Sequence, residues 1–241
     1  MDRLDGKIAI ITGGATGVGK GIARAFVNEG ATVVIGSRNK EALDKTAEEL
    51  RSGGGTVEVM PTDVTDEAQV ISLFQGAVSR FGRLDIAVNN SGVEAAAPLD
   101  EMTLESWLSV VAVNLTGVFL CCREAMRIMK PQGGGKIINI GSTAGFMPRP
   151  NTASYAATKS GVLGLTHVAA LEGRGHGIAV SCLNPGNVAV EKRSHDRFHT
   201  EPMMSVDDVG AAAVAMAALP NDVNFYNAMV LPLGMPFLGR G

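Results

Sequence analysis

Three side chains in the second half of the chain have the types and spacing for moving a proton to or from an oxygen atom: Ser142, Tyr155 and Lys159. Tyr155 and Lys159 are four residues apart, so on a helix they lie one above the other on the same face. A free phenol is a reluctant acid or base at neutral pH, but an ammonium a few ångströms away favours the phenolate. The pair can then exchange a proton with an alcohol or carbonyl oxygen. Ser142 follows the run from Lys136 to Ile140, which puts its hydroxyl at the carboxyl end of a strand, where open α/β sheets hold ligands. Taken alone, Tyr-x-x-x-Lys recurs by chance, and a solvated helix face would also carry it.

The elements that must position these groups also carry residues suited to a dinucleotide. Lys7 to Thr12 reads as a strand that empties into a turn with Gly13, Thr16, Gly17, Val18 and Gly19, after which Ile22, Ala23, Phe26 and Val27 mark a helix by spacing. Glycines there permit positive φ and close approach of the backbone to a pyrophosphate, which the helix N-terminus stabilises. The pattern is G-x-x-x-G-x-G rather than G-x-G-x-x-G, and a purely structural glycine turn is the alternative. The second strand, Ala31 to Ile35, ends in Gly36, Ser37 and Arg38 with no acid to accept from an adenosine ribose. An arginine fork suits a 2′-phosphate, which favours NADP with NAD possible; otherwise Arg38 is an exposed residue opening the next helix.

Asn39 to Ser52 and Glu67 to Phe81 read as helices on either side of a third strand, Thr56 to Met60. Asp63 and Val64 then stand at a strand end, beside an adenine or simply in a turn. Leu84 to Asn89 is a strand followed by Asn90, Ser91 and Gly92. Leu104 to Met129 is the longest helical candidate and carries Asn114, either a satisfied core amide or a group that holds water near the reacting centre. Ala153 to Glu172 is the helix of Tyr155 and Lys159. Ile178 to Leu183 precedes Asn184, Pro185, Gly186 and Val188, and Val206 to Leu219 reads as a last helix.

Strands and helices alternating at this rhythm predict an α/β fold: a doubly wound parallel sheet with helices on both faces, one domain over residues 1–241. The composition, 46% apolar and 19% charged, suits a covered core, and a net charge of -3 gives no electrostatic case for nucleic acid. The acidic start Met1-Asp2-Arg3-Leu4-Asp5 is unlike a signal peptide, and no apolar run reaches the roughly 18 residues of a membrane span. A cytoplasmic protein with no membrane partner is the expectation. Cys121, Cys122 and Cys182 lack metal-ligand spacing and read as reduced core thiols.

Together, Thr12-Gly13-x-x-x-Gly17-x-Gly19, Asn89-Asn90-Ser91-Gly92, Asn114, Ser142, Tyr155-x-x-x-Lys159 and Asn184-Pro185-Gly186 resemble the motifs of the classical short-chain dehydrogenase/reductase family, in its order and spacing. The resemblance covers residues 5 to about 190. It implies a Rossmann fold, an NAD(P) cofactor and a small carbonyl or alcohol substrate. Tyr155 would be the acid in reduction and the base in oxidation, and Ser142 would orient the substrate oxygen. Lys159 would bind the nicotinamide ribose and join a proton relay through water held at Asn114. Asp63 would contact adenine and Asn90 would support the cleft. Ser91 replaces an alanine of the family pattern, and Val190 stands where a threonine often meets the nicotinamide carboxamide. The end of the chain, Leu231 to Gly241, does not match the family's commonest ending.

The segment from about 187 to 204 is expected to form a substrate lid carrying Lys192, Arg193, His195, Arg197 and His199, either a solvated flap or a cationic attractor for an anionic substrate group. An apolar substrate wall is expected at Val93, Ala144, Phe146 and Met147. The long helix and the Tyr155 helix resemble the family's dimerisation helices, so a homodimer or homotetramer is expected. The activity expected is NADPH-dependent reduction of a ketone or 3-oxoacyl group, and the alternative is a catalytically silent protein that senses a dinucleotide.

Overall fold

A computed structural model describes residues 2–190 and 201–236, so Lys192, Arg193, His195, Arg197 and His199 of the expected lid lie outside the described residues. Seven strands form one parallel sheet in the order β3-β2-β1-β4-β5-β6-β7. They are β1 Ile8–Thr12, β2 Thr32–Ser37, β3 Val57–Pro61, β4 Ile86–Asn89, β5 Gly135–Ile140, β6 Ile178–Pro185 and β7 Asn227–Val230. Every residue of β1, β4, β5 and β6 is buried, as expected where helices cover both faces of a parallel sheet.

Two apolar clusters lie on those faces. One packs Ile22 and Phe26 of α1 (Gly17–Asn28), Leu43 and Ala47 of α2 (Lys40–Ser52) and Val209 and Ala213 of α7 (Val206–Ala217) against Ala9, Ile11 and Ile35. The other packs Leu73 and Phe74 of α3 (Glu67–Phe81), Cys121 and Met129 of α5 (Gly117–Gln132) and Val162 of α6 (Ala153–Gly173) against Ile10, Val34 and Ile137. Successive residues of β1 thus feed opposite layers, the period-two signature of a strand. The helix starts follow local chemistry: Asn39 accepts from the Ala42 N–H, Asp66 from those of Ala68 and Gln69, and Ser205 with Asp208 forms a capping box.

The long helix runs from Leu104 to Gln132, three residues beyond the expected end at Met129, and is not uniform. Between α4 (Leu104–Val111) and α5 lies a π-helical turn, Ala112–Thr116, centred on Asn114. The whole span Leu104–Gln132 holds an 18-residue window of mean hydropathy 1.6, so by length and composition alone it could cross a membrane. No unbroken apolar run in it reaches that length; a window average tolerates isolated polar residues, and the core helix of a globular fold meets the same criterion. In this fold α5 packs on α3, α6 and β4. The seventh strand is absent from the sequence expectation and extends the sheet by pairing with Cys182 to Pro185 of β6.

Candidate active site

The carboxyl ends of the central strands open into a cavity of about 940 Å³. It lies where strand order reverses, between β1 and β4, the position at which open α/β sheets bind ligands. Its walls include Gly13, Thr16, Gly17, Val18, Ser37, Arg38, Asp63, Val64, Asn90, Ser91, Gly92, Ser142, Tyr155, Lys159, Pro185, Gly186 and Val188. Gly19 and Asn114, named with them from the sequence, are not in the wall but support it.

The first turn is built for a close ligand. Gly13 and Gly17 adopt φ of 66° and 55°, left-handed values that favour glycine. Thr16 stands at the N-cap of α1 without a side-chain cap, and the first turn has no acidic residue. The helix therefore presents uncapped N–H groups and the positive end of its dipole, a site for a phosphate group. Gly19 lets α1 approach the turn: a Cβ there would stand 2.2 Å from the Gly13 carbonyl oxygen and 2.5 Å from Asn90 Nδ2.

Asn90 and Thr12 lock the ends of β1 and β4 together. Asn90 Nδ2 donates to the carbonyls of Thr12 at 3.0 Å and Gly13 at 3.2 Å, and the N–H groups of Asn90 and Ser91 donate to Thr12 Oγ1 at 3.0 and 3.2 Å. Thr12 is thus part of the site's frame. At Asp63, Oδ1 accepts from the Thr65 N–H at 2.9 Å and hydroxyl at 2.8 Å, so this residue both makes the turn and lines the cavity. Arg38 is exposed beyond β2, while Asn39 is occupied in capping α2. In strand order β2 and β5 flank the β1–β4 pair on opposite sides, which puts Arg38 and Ser142 at opposite ends of the opening.

Ser142 has extended backbone at the entrance to the turn Thr143–Gly145, and its Oγ accepts from the Ala144 N–H at 3.1 Å. That uses a lone pair and leaves the hydroxyl proton for an oxygen in the cavity. Tyr155 is the third residue of α6. One turn on, Lys159 is 4% exposed; its Nζ donates to the Ile140 carbonyl at 2.7 Å and lies 5.5 Å from the Tyr155 ring centroid. Helix spacing, an anchor at the end of β5 and burial together hold the ammonium beside the phenol. Beneath them Asn89 Nδ2 donates to Asn139 Oδ1 at 2.8 Å and Asn139 Nδ2 to Thr166 Oγ1 at 2.9 Å, tying α6 to the sheet.

Asn114 is fully buried and its side chain is in use. Its Oδ1 accepts from the Val93 N–H at 2.8 Å, and Nδ2 donates to the Val93 carbonyl at 2.9 Å and to Thr158 Oγ1 at 3.4 Å. The side chain is therefore a satisfied amide that clamps the loop after Gly92. The π-turn around it inserts an extra residue into the helix, a feature common near functional sites. Val113 of that turn lines the cavity.

Val93, Ala144 and Met147 do line the cavity, but Phe146 does not. It caps the end of the short turn and is 38% exposed, so it leaves the expected apolar wall. Arg149, Thr152, Asn187, Met235 and Pro236 are in the wall without having been singled out from the sequence. The last two arrive because the chain returns from β7 across Gly186, where an added Cβ would stand 2.7 Å from Met235 Sδ. All three cysteines are buried free thiols; burial pushes Cys122 up to about 12 and raises Cys121 and Cys182 as well.

This cavity suits a dinucleotide on the chain's own terms: glycines clear its floor, uncapped N–H groups face it, and a cation stands at one end. The sequence comparisons agree. Residues 7–200 match the family model for short chain dehydrogenase. A D-threitol dehydrogenase of Mycolicibacterium smegmatis is 38% identical over 227 residues, covering 90% of this chain and 87% of that protein. A 3-oxoacyl-acyl-carrier-protein reductase of Thermotoga maritima is 39% identical over 184 residues, covering 76% of this chain and 75% of the other. The crystal structure of a short-chain type dehydrogenase/reductase from Mycobacterium marinum superposes with a TM-score of 0.90 at 31% identity, covering 94% of each chain. With the parallel sheet, the glycine turn and the Ser142, Tyr155 and Lys159 wall already in place, these likenesses settle the family: the chain belongs to the short-chain dehydrogenases, a family of oxidoreductases.

Proposed function

We propose that the chain is an NADP-preferring oxidoreductase that interconverts a secondary alcohol and a ketone, working chiefly in the reducing direction on a small ketone or a 3-oxoacyl group. The observation that carries this reading is the placement of Tyr155, Lys159 and Ser142 on one wall of a cavity that begins at the Gly13–Gly17 turn and reaches Arg38. A bound nicotinamide would supply the hydride in reduction and accept it in oxidation.

In this reading Tyr155 gives its hydroxyl proton to the oxygen that gains charge, and takes it back in the reverse direction. Ser142 donates to the same oxygen and fixes its position, and the Lys159 ammonium stabilises the phenolate that Tyr155 becomes. Asn114 acts indirectly, by holding Val93 and the π-turn in place. Asp63 and Val64 would flank the adenine, and Arg38 with Ser37 would meet a 2′-phosphate through a planar fork of donors. Val93, Ala144 and Met147 offer an apolar surface to the substrate body, in keeping with relatives whose names include a 3-oxoacyl carrier-protein reductase and a steroid dehydrogenase. We place the protein in the cytoplasm as one domain that assembles as a homodimer or homotetramer through α4, α5 and α6, on which Leu104, Leu108, Val168 and Leu171 are exposed.

The test is a panel of ketones, aldehydes and 3-oxoacyl thioesters assayed with NADPH and NADH. Turnover of a ketone with a higher kcat/KM for NADPH is the expected result. Tight dinucleotide binding without turnover of any carbonyl or alcohol would instead support a sensor.

A further inference from the structure

Between Ser142 and Tyr155 the chain makes a short loop that forms one wall of the cavity, and it is held from two sides. On one side the Ala97 N–H donates to the Asn151 carbonyl at 3.2 Å, and Asn151 takes a φ of 66°, a left-handed value that asparagine tolerates better than most residues. On the other side Arg149 Nη2 donates to Glu201 Oε2 at 2.5 Å and to Asn187 Oδ1 at 3.3 Å, while Asn187 Nδ2 donates to the same Glu201 oxygen at 2.8 Å. Arg149 and Glu201 are largely covered, with 21% and 16% of their side chains exposed.

This cluster joins three separate segments: the loop before α6, the strand exit carrying Gly186 to Val188, and the approach to α7. The last two are also paired through the backbone, where the Ala189 N–H donates to the Met204 carbonyl and the Met204 N–H to the Asn187 carbonyl, each at 2.9 Å. Among the described residues, Arg149 is therefore a side chain that fastens the loop to that single backbone bridge. The fastening matters because α6 begins without a side-chain cap. Thr152 Oγ1 turns back to donate to the Arg149 carbonyl at 2.7 Å, and Tyr155 follows within the first helical turn. Arg149, Asn187 and Thr152 all line the cavity.

We propose that Arg149 and Glu201 are positioning residues for substrate: their ion pair, bridged by Asn187, fixes the wall that leads into Tyr155, so substrate binding depends on it while binding of the dinucleotide at the glycine turn does not. The proposal rests on the oxidoreductase reading for its kinetic arm but not for its structural one. Removing one partner of a covered ion pair leaves the other charge uncompensated and costs far more than replacing the whole pair, and small displacements near a reacting centre have large kinetic effects.

Glu201→Gln, Arg149→Met and the exchanged pair Arg149→Glu with Glu201→Arg are compared with the unaltered protein in the presence of NADPH. In each single variant KM for the best ketone of the panel should rise roughly tenfold or more, with the dissociation constant for NADPH within about threefold. The exchanged pair should recover most of the lost affinity; a merely structural contribution to stability would lower the active fraction and apparent kcat of the single variants without raising KM. Hydrogen exchange supplies the arm that needs no turnover: amides of residues 147–156 should exchange faster in the single variants while those of α3 stay unchanged. Unaltered exchange in that stretch, an unaltered KM, or parallel loss of NADPH and ketone binding would each overturn the proposal. Absence of any turned-over ketone in the unaltered protein would defeat the oxidoreductase reading alone.

Discussion

The tightest glycine at the first turn gives a test whose size can be worked from distances. In Gly19→Ala the new methyl would sit 2.2 Å from the Gly13 carbonyl oxygen and 2.8 Å from the Gly13 carbonyl carbon, contacts that real side chains do not make. Neither partner is a flexible side-chain tip, so α1 must back away from the turn, and Asn90, which would be 2.5 Å from the methyl, must loosen its bonds to Thr12 and Gly13. Overpacking of this kind costs about 1–3 kcal/mol. Because the strain falls on the turn proposed to meet the phosphate, most of it should appear in binding, at about 1.4 kcal/mol per tenfold. The dissociation constant for NADPH should therefore rise by about 5- to 150-fold, read by fluorescence titration. Gly175→Ala is the control: it has negative φ, is exposed and has nothing within 4 Å of a Cβ, so binding should be unchanged and stability equal or slightly higher. A Gly19→Ala protein that binds NADPH within twofold of the original would refute the account of the turn.

Arg38→Ala should lower kcat/KM for NADPH by about 10- to 100-fold, as loss of a charge-assisted contact implies, and leave the value for NADH nearly unaltered; an equal fall for both would remove the 2′-phosphate assignment. At acid pH the Arg3–Glu29 pair makes a separate prediction. The Arg3 side-chain and backbone N–H groups hold the Glu29 carboxyl down at about 2. A depressed carboxylate stabilises the fold above its ordinary value near 4.5 and loses that contribution as pH falls towards about 2. The Tm difference between the original protein and Glu29→Gln should hold steady from neutral pH to about 5 and close below it; a difference independent of pH would count against the pair.

Much of this site was legible because its parts are local. A glycine turn between a strand and a helix, a strand ending in Asn90-Ser91-Gly92 and a Tyr-x-x-x-Lys helix each announce their geometry within a few residues, and the parallel sheet brings their ends together. What was not legible depends on partners far along the chain. Arg149 meets Glu201 across 52 positions, and no local pattern marks either residue. The strand Asn227–Val230 is four residues long at a sheet edge with a half-exposed pattern, too short and too mixed for periodicity to reveal. The π-turn Ala112–Thr116 sits inside a long helical pattern that does not mark it, so the role of Asn114 as a clamp on Val93 emerges only when the loop after Gly92 is folded over it. Phe146 is the converse case, an apolar residue close in sequence to the site that a single short turn directs elsewhere.

The central claim is that the Tyr155 phenol carries the proton for a reaction in this cavity. Tyr155→Phe removes one oxygen atom and leaves the ring beside Lys159. Turnover of the best ketone substrate should fall by about 10²- to 10⁴-fold, the range typical of a lost general acid, with NADPH bound as tightly as before. Undiminished turnover in Tyr155→Phe would contradict that claim.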